Sequence, residues 1–153
     1  MTEMLGNQFF MARKYEDALR IFEKCKEKGE LNKNIMRKMV VCYTQTGKIQ
    51  EAAKMLLTLI NEDLDFVLNT DPVKDDCPCS ELVKEYESRL QISVESFDFL
   101  TSLGILWLYC DLNKSVCYFK KASEIYPDNS IVNSILSKLM SRQTLSEKEL
   151  NNN

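Results

Sequence analysis

The sequence predicts an all-α chain of stacked antiparallel helix pairs, and three observations carry that prediction. Residues 5–27 and 39–61 match each other at an offset of 34, and self-similarity at such a period marks a repeat architecture. Within each copy the apolar residues fall three or four apart, which is helical spacing. Four Gly and three Pro in 153 residues lie well below the ordinary combined share of about 12%. That is too few turn formers for a sandwich or barrel. A composition 44% hydrophobic and 28% charged suits one folded domain at this length, expected over residues 1–143.

The elements follow in order. The first unit, about residues 3–34, has Leu5 and Phe9 on its first helix, a break at Arg13-Lys14, and Tyr15, Ala18, Phe22 and Cys25 on its second. In the second unit, about 37–69, Met39 and Tyr43 precede a turn at Thr46-Gly47-Lys48, and Ile49, Ala52, Leu56 and Leu59 follow it. The small Ala18 and Ala52 suit a close helix crossing, with Phe22 and Leu56 filling the wider gap one turn on. Ile60, Leu64, Val67 and Leu68 keep the spacing, so this second helix is expected to run to about residue 69, where Thr70-Asp71-Pro72 stops it. Residues 70–96 leave the pattern. Pro72 and Pro78 exclude an uninterrupted helix there, so a loop is expected over 74–79, then a helix with Ser80 as N-cap and Leu82, Val83, Tyr86 and Leu90 on one face. The third unit, about 97–128, carries Leu103, Gly104 and Trp107, then Leu112, Ser115, Phe119, Ala122 and Pro127. Its offset from the first unit is 98 in the first helix and 97 in the second, a turn one residue shorter. A capping helix over about 129–141, started by Asp128 or Asn129, has Ile131, Val132, Ile135, Leu136 and Leu139 as its apolar stripe, and 144–153 is expected to be a frayed tail.

Leu5-Gly6-Asn7, Phe9, Tyr15, Ala18, Phe22 and Cys25 resemble one tetratricopeptide repeat. The second copy is similar through Tyr43, Gly47, Ala52 and Leu56 but has Val40 where that family prefers a small residue, and in the third Pro127 matches the family's helix-ending proline. The resemblance covers about residues 3–62 and 97–128. It implies a right-handed α-solenoid whose first helices line a concave groove for a peptide or partner helix, in an adaptor, scaffold or assembly factor. The groove residues it implies are Asn7, Phe10, Met11, Arg37, Val41, Thr44 and Gln45. Asn7 matches an asparagine that some members use to hydrogen-bond a peptide, and Arg37 with Lys38 would supply positive charge. Glu3 stands where carboxylate-clamp members carry lysine, which disfavours that mode, since a like charge against a carboxylate costs affinity. A stack leaves an apolar end to be covered, so a longer array or a larger complex is a further expectation.

Composition narrows the function classes. The net charge of −3 and pI near 5.2 supply no general drive toward nucleic acid or anionic lipid. With no His, the usual general base and the commonest zinc ligand are missing. Six spread cysteines, no apolar leader and a longest apolar stretch of 14 residues (97–110) point to reduced thiols and a cytoplasmic chain outside the membrane. Cys77-Pro78-Cys79 behind Asp75-Asp76 is the one candidate metal cluster, a weak one because a structural zinc site needs four ligands and no second paired motif exists. Cys110 and Cys117 flank the short turn and are within reach of each other in that reading. The acidic stretches 62–65 and 75–76 read as solvated faces, and no phosphate-binding glycine motif is present. The chain is therefore expected to have a protein or peptide partner, with no catalytic residues, no cofactor and no nucleic acid. The rival expectation is a helical-repeat RNA reader using Arg13, Lys14, Arg37, Lys38 and Lys48.

Overall fold

The structure is a computed structural model that describes residues 2–90 and 96–152. Among these residues it has eight helices and no strand: α1 (Thr2–Met11), α2 (Tyr15–Glu27), α3 (Lys33–Gln45), α4 (Ile49–Leu68), α5 (Cys79–Arg89), α6 (Phe97–Leu108), α7 (Leu112–Ile125) and α8 (Ser130–Asn151). The closest packing joins α1 to α2, α3 to α4 and α6 to α7. These are the three repeat units. Each unit leans on the next through α2 and α1 against α3, then α4 against α6, while α8 covers α7 and α4 and α5 lies on α6. One apolar core runs through all of them, from Phe10 and Phe22 to Ile135 and Leu139.

The turns inside the first two pairs are copies at backbone level. Lys14 N donates to Phe9 O at 2.9 Å and Lys48 N to Tyr43 O at 2.9 Å, and the residue before each sits at positive φ, Arg13 at 62° and Gly47 at 78°. Glycine meets that requirement without steric cost, whereas arginine is strained by it. The third pair omits the left-handed residue. Its turn closes through Cys110 N and Asp111 N to Trp107 O, and the Asp111 side chain caps α7 by accepting from Lys114 N at 3.2 Å. That is how a turn one residue shorter still reverses the chain.

Packing within the pairs also repeats, with one compensated exchange. A Cβ on Gly6 would lie 2.5 Å from Phe22 Cε1, and one on Gly104 2.9 Å from Phe119 Cδ2. Phe22 and Phe119 are fully buried, so neither ring has room to retreat. In the second pair the equivalent residues are Val40 and Leu56, both fully buried, and the smaller Leu56 leaves the volume that the larger Val40 takes. Ala18, Ala52 and Ser115 are buried at the close crossing, and Ser115 Oγ donates to Gly104 O at 2.6 Å, so its hydroxyl is satisfied within the contact. Ala122 and Leu59 are fully buried, as are Met39 and Leu103, whereas Leu5, the counterpart of the last two, is 43% exposed.

Three expectations need correction. α4 reaches Leu68 but is not continuous, because Asp63 has non-helical angles of φ −160° and ψ 85°. Its side chain accepts from Phe66 N at 3.1 Å and pairs with Lys33 Nζ at 2.9 Å, restarting the helix in a new direction. α5 begins at Cys79 rather than after Ser80, with Pro78 in the cap position and no side-chain cap. The tail expected to fray is helical through Asn151, with Asn129 as the N-cap. Good helix formers carry it on, although residues 144–152 are exposed throughout.

Candidate binding face

The first helices α1, α3 and α6 present the face on which the groove was expected, and the chain's own insertion lies across it. Four of the seven groove residues are closed off from solvent: Phe10 and Val41 at 1% exposure, Thr44 at 3% and Arg37 at 5%. Asn7 and Gln45 are half-buried, and only Met11 is open, at 57%. The resemblance implied an open surface at these positions. Here Arg37 and Gln45 instead meet Thr70, Asp75 and Tyr86 of the same chain.

Arg37 is the centre of the arrangement. Its guanidinium donates to Asn34 Oδ1 at 3.1 Å and Thr70 Oγ1 at 3.4 Å, pairs with Asp75 Oδ1 at 3.4 Å, and lies over the Phe66 ring at 4.4 Å. A buried cation is tolerated only with such partners. Beside it Lys38 Nζ donates to Asn7 Oδ1 at 2.8 Å, linking α3 to α1. Burial pulls the Lys38 ammonium below its usual range, while the nearby Asp76 works the other way. Gln45 Nε2 donates to Tyr86 OH at 3.1 Å, and Arg13, at the end of the first turn, pairs with Glu81 at 3.6 Å. Acidic and polar side chains of residues 75–86 thus meet basic and polar ones of the first two units. The sequence carried a signal for this in the facing Asp75-Asp76 and Arg37-Lys38, but nothing in the periodicity sets their distance.

α5 is held to the third unit from its other end. Glu87 Oε1 accepts from Trp107 Nε1 and from Tyr118 OH, each at 2.9 Å. Tyr86 stacks on Phe99 at 5.5 Å between ring centres. Just past the end of α6, the buried Tyr109 reaches back to α3, its hydroxyl donating to Arg37 O at 3.2 Å. Among the described residues no buried side-chain nitrogen or oxygen lacks a partner.

The cysteines gather more closely than their sequence positions suggest. Cys77 and Cys79 are buried, and the Cys79 thiol meets both Cys77 and Cys110. Cys110 therefore lies beside the insertion, and all six cysteines are free, as expected. Its bond to Cys110 favours the Cys79 thiolate, but the Cys77 thiol and burial outweigh this and push Cys79 up to about 12. Burial raises Cys42 to about 12 as well, and the Cys79 thiol raises Cys110, followed by burial. Thiols held protonated in this way are poor nucleophiles at neutral pH. Among the described residues no group of three or more acid or thiol side chains is placed to hold a metal ion. The other acidic stretch is partly engaged, Asp63 with Lys33 and Asp65 with Arg142, beside a cleft of about 940 Å³ between α4 and α8.

No family model, curated protein or solved structure matches this chain. Among the described residues no helix is long and apolar enough to cross a membrane.

Proposed function

We propose that the chain is a protein-interaction module of the tetratricopeptide type, a right-handed stack whose first-helix face receives a peptide segment and which serves as an adaptor, scaffold or assembly factor in the cytoplasm. One observation carries this reading: the irregular segment 71–78 already lies on that face, with its Asp75 on Arg37 and its Cys77 buried. A guanidinium, an amide and apolar walls are what a face needs to orient a non-helical peptide. The Cys42 and Cys79 thiols are raised out of the reactive range and imidazole is missing from the sequence, so binding is favoured over catalysis. An RNA reader would need free cations here, but Arg37 is buried against Asp75 and Arg13 is paired with Glu81.

The test is affinity capture from the native lysate with the tagged chain and an Asn7→Ala, Lys38→Glu variant as the control. A protein retained by the wild type and lost by the variant is the expected result. Retention by both would move the interface off this face, and nuclease-sensitive recovery of RNA would favour the rival.

A further inference from the structure

We propose that residues 71–81 are a displaceable occupant of the first-helix face, and that the partner is an acidic peptide that replaces Asp75, Asp76 and Glu81 opposite Arg37, Lys38 and Arg13. This deepens the module reading above and rests on it.

Charge complementarity names the partner's chemistry. Asp75 pairs with Arg37 and Glu81 with Arg13, and Asp76 acts on Lys38. Two acids of the insertion therefore pair with bases of the first two units, and the charge of a third reaches Lys38. A small apolar residue completes the pattern, since Cys77 directly after the acids is only 8% exposed. A competitor needs the same order: consecutive carboxylates followed by a small apolar side chain.

The way the segment is held makes it releasable. Residues 71–78 form no helix or strand of their own, and α5 behind them packs mainly on α6. Glu87, on Trp107 and Tyr118, fastens the later part of α5 to the third unit, so residues 71–78 and the first turn of α5 can lift while the rest of α5 stays docked. Val73 is 86% exposed and contributes little. Asp76 is held at a φ of 51°, a left-handed conformation that a non-glycine residue leaves at a gain. The Arg13–Glu81 contact is long and open to solvent, with side chains 39% and 73% exposed, and salt screens such a pair. Against this, a tethered segment acts at an effective concentration on the order of millimolar, so a free peptide of equal affinity is excluded until the tethered one is weakened.

The experiment uses the full chain, wild type and an Asp75→Asn, Asp76→Asn, Glu81→Gln variant, titrated with a fluorescent peptide of the sequence of residues 70–81 in which alanine replaces both cysteines. The variant is expected to bind at least about tenfold more tightly than the wild type, since it loses the tethered competitor. Affinity should fall as salt rises, and a peptide with Asn and Gln for its acids should not bind. Equal binding by both proteins, or none by a variant with wild-type helicity and a cooperative melt, would overturn the proposal. Should the variant not fold, hydrogen exchange on the wild type decides. Excess acidic peptide must then speed exchange of residues 73–77 but not of α6, and unchanged rates count against displacement. A partner captured by both proteins with no acidic peptide bound would defeat this proposal and leave the module reading. Capture by neither, with tight peptide binding to the variant, would do the reverse.

Discussion

Gly6 and Gly104 do the same work at equivalent points, letting a phenylalanine ring rest on the backbone of the partner helix. Alanine in a helix interior is intrinsically better than glycine by about 1 kcal/mol, yet its methyl at Gly6 would fall 2.5 Å from a buried ring. Overpacking of that kind costs about 1–3 kcal/mol. The clash therefore outweighs the propensity, and Gly6→Ala should lower stability by about 1 kcal/mol, read from urea melts. In a Phe22→Leu background, which imitates the Val40 and Leu56 exchange of the second unit, Gly6→Ala should instead be neutral or stabilising. Equal effects in both backgrounds would show that the ring is not what excludes the methyl. Ala18→Trp and Ala52→Trp should each destabilise the fold by a similar mechanism, by about 1–3 kcal/mol and occasionally more, seen as lowered melting temperatures. The repeat register made these residues legible in the sequence. The burial of Arg37 was not, because a charged residue on a first helix reads as solvent-facing until something from outside the repeat covers it.

At the scale of elements, the apolar period located the helices, and of the N-caps read from the sequence Asn129 is found while Ser80 is not. Ser96, Asp111 and Asn129 each accept from the backbone three residues on, and Asp111→Ala should cost α7 about 1 kcal/mol, measurable by thermal denaturation. It missed the break in α4, since apolar spacing continues through it and an aspartate inside a helix gives no warning of a restart. The break has a pH signature. The Lys33 ammonium, and then the Phe66 N–H, hold Asp63 below its ordinary 3.8, so its contribution is present above that value and is lost as the pH falls through the lower folded one. Asp63→Asn keeps an oxygen for the Phe66 cap and removes the charge. The wild type should therefore exceed this variant in stability at pH 7, and the gap should close below pH 3.8, as followed by urea melts across that range. A gap that persisted in acid would assign the break to packing rather than to the ion pair.

For the whole molecule, contacts run mainly between neighbouring helix pairs, an arrangement expected to open from its ends. The insertion's position was the least legible feature, since it depends on contacts between residues 13 and 81, 37 and 75, and 45 and 86 that no local pattern encodes. Its consequence is uneven burial along the stack. α6 is covered by α4, α5 and α7, with every residue from Leu100 to Leu106 buried, whereas α1 buries only Gly6 and Phe10 and exposes Met4, Leu5 and Met11. Native-state hydrogen exchange should accordingly find the slowest amides in α6, opening only with the whole molecule, and faster ones in α1, opening with its own pair. The two glycine sites then separate the alternatives. Gly6→Ala strains the end pair and should speed exchange in α1 and α2 with little change in α6. Gly104→Ala strains the unit on which α4, α5 and α8 all rest, directly or through α7, and should speed exchange throughout. If both substitutions accelerated every amide by the same factor, the eight helices would be one cooperative unit, and the stepwise stack would be wrong as a description of how this protein unfolds.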